Sequence, residues 1–226
     1  MRLYLSSYRM GGGVDVLKGL LGRGRRVGII ENALDHIPAA ERSDYKKRVY
    51  DSGAEFRALG FETVELDLRG YFGAEQTLRR DLAALDLIWA VGGNAFILRK
   101  AMASSGLDRV IRSGLDEDAF AYGGFSAGAV VLGPSLKGIE EVDDPNLAVE
   151  GYPEGPIWEG LGILDFIIVP HYRSAHRESA LVGVLVERYQ GTGTPHLPLS
   201  DGEVLFVDGA HRAIIDARGR ERTFEG

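Results

Sequence analysis

"AYGGFSAGAVVLGP", residues 121–134, surrounds a single serine with Gly123, Gly124, Ala127, Gly128 and Ala129. The residues leading into it, "AFAYGGF" (119–125), read as a strand, and the small residues after it read as the start of a helix. Gly124-Phe125-Ser126-Ala127-Gly128 fits G-x-S-x-G at a strand-to-helix switch, where a sharp turn pushes the serine hydroxyl out above the sheet edge. The flanking glycines let neighbouring backbone approach without side-chain clashes. Two readings compete, a close-packed corner and an exposed nucleophile, and the strand-to-helix placement favours the nucleophile. A phosphate loop is a poorer fit, because the lysine it needs after glycine is missing.

Working outward, short β-rich runs alternate with helical patterns. "RLYLSS" (2–7), "RVGIIEN" (26–32), "ETVELDL" (62–68) and "DLIWAVGG" (86–93) read as strands. Between them, 13–22, 39–60 and 74–85 read as helices, the second as one long amphipathic helix stopped by Gly60. "NAFILRKAMASSG" and "LDRVIRSG" supply helical turns before the serine strand. This alternation predicts a parallel sheet covered on both faces. Residues 134–164 are rich in Gly, Pro and acid and read as a long loop with one short strand, a length that is usually functional. "LDFIIVPH" (164–171) restores a buried strand and 174–191 a helix. "GEVLFVDGAHRAIID" (202–216) forms two strands around Asp208-Gly209, a hairpin signal.

The chain has 226 residues, enough for one domain spanning 1–226, with 45% hydrophobic and 26% charged residues, an ordinary globular composition. A net charge of -7 argues against nucleic-acid or anionic-membrane partners. No apolar run approaches the roughly 18 residues of a membrane span, and the opening residues are too polar for a secretory signal. There are no cysteines, which removes disulfides and thiolate chemistry and fits a cytoplasmic location.

A nucleophilic serine needs an oxyanion hole and a base. The Ala127 amide, at a helix start, suits the first oxyanion donor. Gly92-Gly93, at the end of the preceding strand, can aim a second amide at the same edge, with Asn94 as an N-cap. Of the five histidines, His171 ends an apolar strand and so is expected at the catalytic edge of the sheet; His176 is the second choice. His36 falls in a loop, His196 between two prolines, and His211 in the hairpin.

With "GGN", "GFSAGA" and "VPHY" in this order, the chain resembles the peptidase E and cyanophycinase family of serine peptidases. The resemblance runs from the first strand to the C-terminal hairpin. It implies an α/β fold, a three-layer, doubly wound, mostly parallel sheet like that of class I glutamine amidotransferases, with a C-terminal β-hairpin. It matches Ser126 to the nucleophile, His171 to the base, and Gly93 and Ala127 to the oxyanion amides. For the orienting carboxylate, "PLSDGE" (198–203) resembles the family's Leu-Pro-Glu-Gly turn with Asp201 in place of Glu. "EEVDDP" (140–145) offers Asp143 next, with Glu141 and Asp144 beside it. The resemblance implies a small-peptide substrate, with an N-terminal aspartate as in peptidase E, and leaves a homodimer open. Asn94 and Arg173, with Arg177, are the candidate substrate contacts. The chemistry requires no cofactor and no metal. The competing expectations are an α/β-hydrolase-type esterase and a non-catalytic domain binding an anion at the glycine-rich loop "SSYRMGGGVDVLKG" (6–19).

Overall fold

The computed structural model describes residues 1–223. In chain order the elements are β1 (Arg2–Ser6), α1 (Val14–Leu21), β2 (Arg26–Ile30), α2 (Ala39–Arg48), α3 (Ser52–Ala58), β3 (Glu62–Glu65), α4 (Glu75–Leu82), β4 (Leu87–Ala90), α5 (Ala95–Ser105), α6 (Leu107–Asp116), β5 (Ala121–Phe125) and α7 (Ala127–Val130). They continue with β6 (Ile167–Val169), α8 (Ser179–Thr192), β7 (His196–Pro198), β8 (Val204–Asp208), β9 (His211–Ile215) and β10 (Glu221–Thr223).

Eight strands form one sheet in the order β10-β9-β8-β1-β5-β4-β2-β3. Strands β1 to β5 are mutually parallel, and the C-terminal hairpin adds antiparallel strands beside β1. Alternate residues of each strand serve opposite layers. Leu3 and Leu5 face the layer of α4 to α8, whereas Tyr4 and Trp89 face that of α1 and α3. The expected α/β three-layer architecture and its hairpin are therefore present.

Three expectations change. The helix expected over 39–60 is two helices, because Asp51 stops the first register and caps α3 by accepting the Ala54 amide at 2.9 Å. Nothing on α2 is buried, so no packing holds the two in one rod. Second, β6 does not join the main sheet; it pairs in parallel with β7 in a sheet of two strands. Third, in place of a short strand, the 134–164 segment carries an isolated bridge between Ser135 and Glu159 and a 3-10 turn at Ile139–Glu141. Leu136, Ile139, Leu161 and Leu164 bury the segment against the core, which is why it needs no strand of its own.

The glycine-rich loop after β1 is filled by its own chain. A Cβ on Gly12 would lie 2.3 Å from the Asp216 carbonyl oxygen, and one on Gly11 2.6 Å from Val204. The Gly12 amide donates to the Gly202 carbonyl at 2.8 Å. These glycines dock the loop onto the hairpin, and the anion-cradle expectation has no room there.

Candidate active site

The carboxyl ends of β1, β5, β4 and β2 open onto a cleft of about 560 Å³, as expected of a parallel sheet whose strand order reverses near its middle. Ser126 stands at the end of β5 with φ 49° and ψ −118°, a conformation that L-residues rarely adopt. Backbone bonds hold it there: its amide donates to the Ser6 carbonyl at 3.2 Å, and its carbonyl accepts the Ala129 and Val130 amides, both at 2.9 Å.

The crowd of small residues around the serine has a packing cause as well. A Cβ on Gly124 would lie 2.6 Å from the Ala90 carbonyl oxygen, and one on Gly128 only 2.2 Å from it. The glycines let α7 settle directly onto the end of β4, and the buried Tyr122 hydroxyl ties it down by donating to the Gly128 carbonyl at 2.7 Å. The close-packed corner and the half-buried, cleft-lining serine are one device. Gly128→Ala is expected to destabilise the fold by about 1–3 kcal/mol, because the obstructing atom is backbone and cannot swing aside. A fall of several degrees in Tm checks this; an unchanged Tm would mean that α7 can lift off β4.

The second glycine turn lies against the first. A Cβ on Gly92 would meet the Phe125 ring at 2.7 Å and the Ser126 Cβ at 3.1 Å. Gly93 has φ 140° and no space for a side chain, with the Ala33 carbonyl oxygen 2.6 Å from its would-be Cβ. Gly92, Gly93 and Ser126 all line the cleft. Asn94 lines it too, but its polar atoms serve the fold. Its Oδ1 accepts the Ile97 amide at 3.0 Å and its Nδ2 donates to the Asp144 carbonyl at 2.9 Å.

His171 follows β6, only 3% exposed, with φ 64°. Its position comes from the small second sheet, so it enters the cleft that Ser126 lines from outside the strand row rather than from the main sheet's own edge. Its Nδ1 lies 2.8 Å from Asp201 Oδ1. An ionised carboxylate only accepts, so Nδ1 donates and Nε2 is left with its lone pair. Asp201 is itself fixed. It accepts the Ser7 hydroxyl at 2.9 Å, and its amide donates to Ser174 Oγ at 2.7 Å. Burial opposes ionisation of Asp201, but the hydrogen bonds and attraction of His171, with the Ser7 hydroxyl, hold its carboxyl below the ordinary value.

Asp143 is placed differently. Its Oδ2 accepts the Ala95 amide at 2.8 Å, at the start of α5, and its packing pushes its carboxyl up to about 7. It lines the cleft without the bond to His171 Nδ1 that Asp201 makes. Glu141 pairs with Arg188 at the surface, and Asp144 accepts the Asn146 amide.

Of the two arginines after His171, Arg177 lines the cleft, whereas the Arg173 guanidinium lies over the Tyr172 ring, 4.9 Å from its centroid. Arg173 thus leaves the set of cleft-facing candidates. His36 lines the cleft, His196 bonds the Thr194 carbonyl, and His211 is exposed beside Glu221. His176, expected at a helix start, lies three residues before α8 and stacks on His171.

Ser7 was not singled out in the sequence. It is fully buried, accepts the His171 amide at 2.8 Å and donates to Asp201, so one hydroxyl fixes both partners. Its sequence signal is faint: a polar residue just past an apolar strand that ends at the same sheet edge as Ser126. Ser7→Ala strips one hydrogen bond from Asp201, and its carboxyl pKa is expected to rise toward the ordinary value. NMR titration of that carboxyl checks the direction, and a shift downward would refute the assignment.

The family model for peptidase family S51 matches residues 29–215. The chain belongs to peptidase family S51. It is a serine-type peptidase, a hydrolase, as the resemblance implied, and the esterase expectation falls away. A protein named Peptidase E of Streptomyces coelicolor is 29% identical over 221 residues, spanning 93% of this chain and 79% of its own. An uncharacterized peptidase of Listeria monocytogenes is 29% identical over 176 residues, 76% of this chain and 80% of its own. Among solved structures, that of a Peptidase E protein from Listeria monocytogenes EGD-e superposes with a TM-score of 0.75 at 22% identity, covering 94% of this chain and 96% of that one. A peptidase from an acI-B1 actinobacterium gives 0.65 at 15% identity, over 99% and 96% of the two chains. At these identities the structures speak for the shared fold. Among the described residues no helix of this S51 chain is long and apolar enough to cross a membrane.

Proposed function

We propose that residues 1–226 act as one catalytic domain, an exopeptidase that hydrolyses the amide bond of small peptides through Ser126, His171 and Asp201. The observation that carries this is the 2.8 Å bond between His171 Nδ1 and Asp201 Oδ1 in a histidine lining the same cleft as Ser126. Ser126 Oγ attacks the scissile carbonyl while His171 Nε2 takes its proton. The tetrahedral oxyanion is stabilised by the Gly93 and Ala127 amides, each worth about 3–4 kcal/mol at such sites. His171 returns the proton to the leaving amine, giving an acyl-Ser126. Water, deprotonated by His171, then releases the acid and regenerates the serine. Asp201 holds the imidazole tautomer and the charge of the imidazolium throughout.

For substrate, an N-terminal aspartyl dipeptide is the reading that similarity to Peptidase E favours. Arg177 supports it as an exposed cation that lines the same cleft as His171 and pairs with Glu178 at 3.5 Å. Turnover of dipeptides varied at the N-terminal residue tests the substrate class. Aspartyl members are expected to be cleaved first, and a preference for neutral or basic N-termini would overturn the acidic reading. A fluorophosphonate probe is expected to add its mass to the Ser126 peptide and to no other; labelling elsewhere would overturn the nucleophile.

A further inference from the structure

Two imidazoles and a carboxylate converge in the cleft that Ser126 lines. His171 at φ 64° and Arg173 at φ 50° turn the chain back on itself, and His176 returns over His171. The two rings stack with centroids 3.8 Å apart and planes 13° from parallel. Tyr8 meets both, its ring centroid 5.8 Å from each. Glu178 follows, with Oε2 3.8 Å from His176 Nδ1. One ligand atom from each of His171, His176 and Glu178 lies within 4.8 Å of the others.

We propose that His171, His176 and Glu178 bind a transition-metal dication, Zn²⁺ foremost, and that binding switches the peptidase off. Two imidazole nitrogens and one carboxylate oxygen form a donor set suited to zinc with an open fourth position. The set suits Zn²⁺, Cu²⁺ or Ni²⁺, whereas Mg²⁺ and Ca²⁺ prefer all-oxygen shells. The Asp201 bond adds a second, independent feature. A metal-bound histidine commonly donates its other ring nitrogen to a carboxylate, which fixes the tautomer and raises ligand basicity. His171 already does this, presenting Nε2.

The competing interactions inside the cluster are weak. The Glu178 amide reaches His176 Nδ1 at a long 3.4 Å, and Arg177 approaches Glu178 Oε1, not Oε2, at 3.5 Å. The stacked rings hold their lone pairs side by side, so the His176 ring turns out of the stack to converge on the ion; it is partly exposed and lines the open cleft. Inhibition follows from the proposed mechanism, on whose assignment of His171 as base this inference rests. The metal occupies the nitrogen lone pair that must take the Ser126 proton.

Calorimetric titration of the Ser126→Ala protein with ZnSO₄ in a non-chelating buffer reads binding without any turnover. One site is expected, weakened at least about 10-fold by His176→Ala or Glu178→Gln added to that background. In the wild type, ZnSO₄ is expected to inhibit peptide hydrolysis and EDTA to restore it, while MgCl₂ does neither. The half-inhibiting zinc concentration rises at least about 10-fold in His176→Ala and in Glu178→Gln, each normalised to its own rate in EDTA. No binding, binding unchanged in both variants, or binding without inhibition overturns the proposal. Turnover by Ser126→Ala would overturn the serine mechanism instead, and leave the calorimetric result to judge the metal site.

Discussion

Ser126→Ala is expected to lower kcat by about 10⁶ with the fold intact, and His171→Ala to fall nearly as far, because members of such a unit fail together. The alanine keeps every backbone interaction of the elbow: the bond to the Ser6 carbonyl and the two amides received from α7 are made by main-chain atoms. What disappears is the hydroxyl alone. The double variant is expected to be no slower than either single one, since a base without a nucleophile has no proton to take. Steady-state hydrolysis of a cleaved dipeptide, with circular dichroism and Tm beside it, gives the answer. Wild-type rates in Ser126→Ala would refute the serine as nucleophile. His176→Ala, measured in EDTA, is expected to lose far less than His171→Ala; the reverse order would exchange their roles.

The elbow was legible because its chemistry and its packing demand the same residues. Small side chains at 124 and 128 let α7 touch Ala90 directly behind the turn that sets Ser126 in the cleft. The parallel sheet was legible because five apolar runs carry the period of buried strands between helical ones. The break at Val49–Asp51 was hidden, because an Asp three residues before a helix amide reads equally well as a surface residue within a longer helix. The placement of His171 needed β6 and β7 to pair with one another, outside the main sheet. Two three-residue strands whose paired residues are 29 positions apart leave no local signature. Ser7 escaped for a related reason. Its role depends on a turn nearly two hundred residues away, and no pattern within a window of a dozen residues can carry that. The choice between Asp201 and Asp143 was open for the same cause: both are turn aspartates locally, and only the tertiary partner separates them.

That separation makes the sharpest test. Asp201→Asn is expected to lower kcat by up to about 10⁴, the penalty of a Ser-His-Asp site whose histidine is held in the wrong tautomer, because an amide can offer Nδ1 a donor where a carboxylate only accepts. Asp143→Asn is expected to change kcat little, since the Asn oxygen still accepts the Ala95 amide. Its effect belongs to stability. Burial pushes the Asp143 carboxyl up to about 7 in the folded chain against 3.8 for an ordinary Asp, so the folded state binds more protons than the unfolded one between those values. The stability this group contributes is full below its unfolded pKa and is lost as pH rises through about 7. Asp143→Asn, neutral throughout, is therefore expected to melt above the wild type at pH 8, with the difference shrinking toward pH 4. Asp201 has the opposite sign: its lowered pKa supplies stability above the unfolded value that fades as pH falls through the folded one. Melting curves of both variants from about pH 2 to 8, set beside kcat, assign the two carboxylates. A large kcat loss in Asp143→Asn with a mild one in Asp201→Asn would move the orienting carboxylate to the loop after the nucleophile.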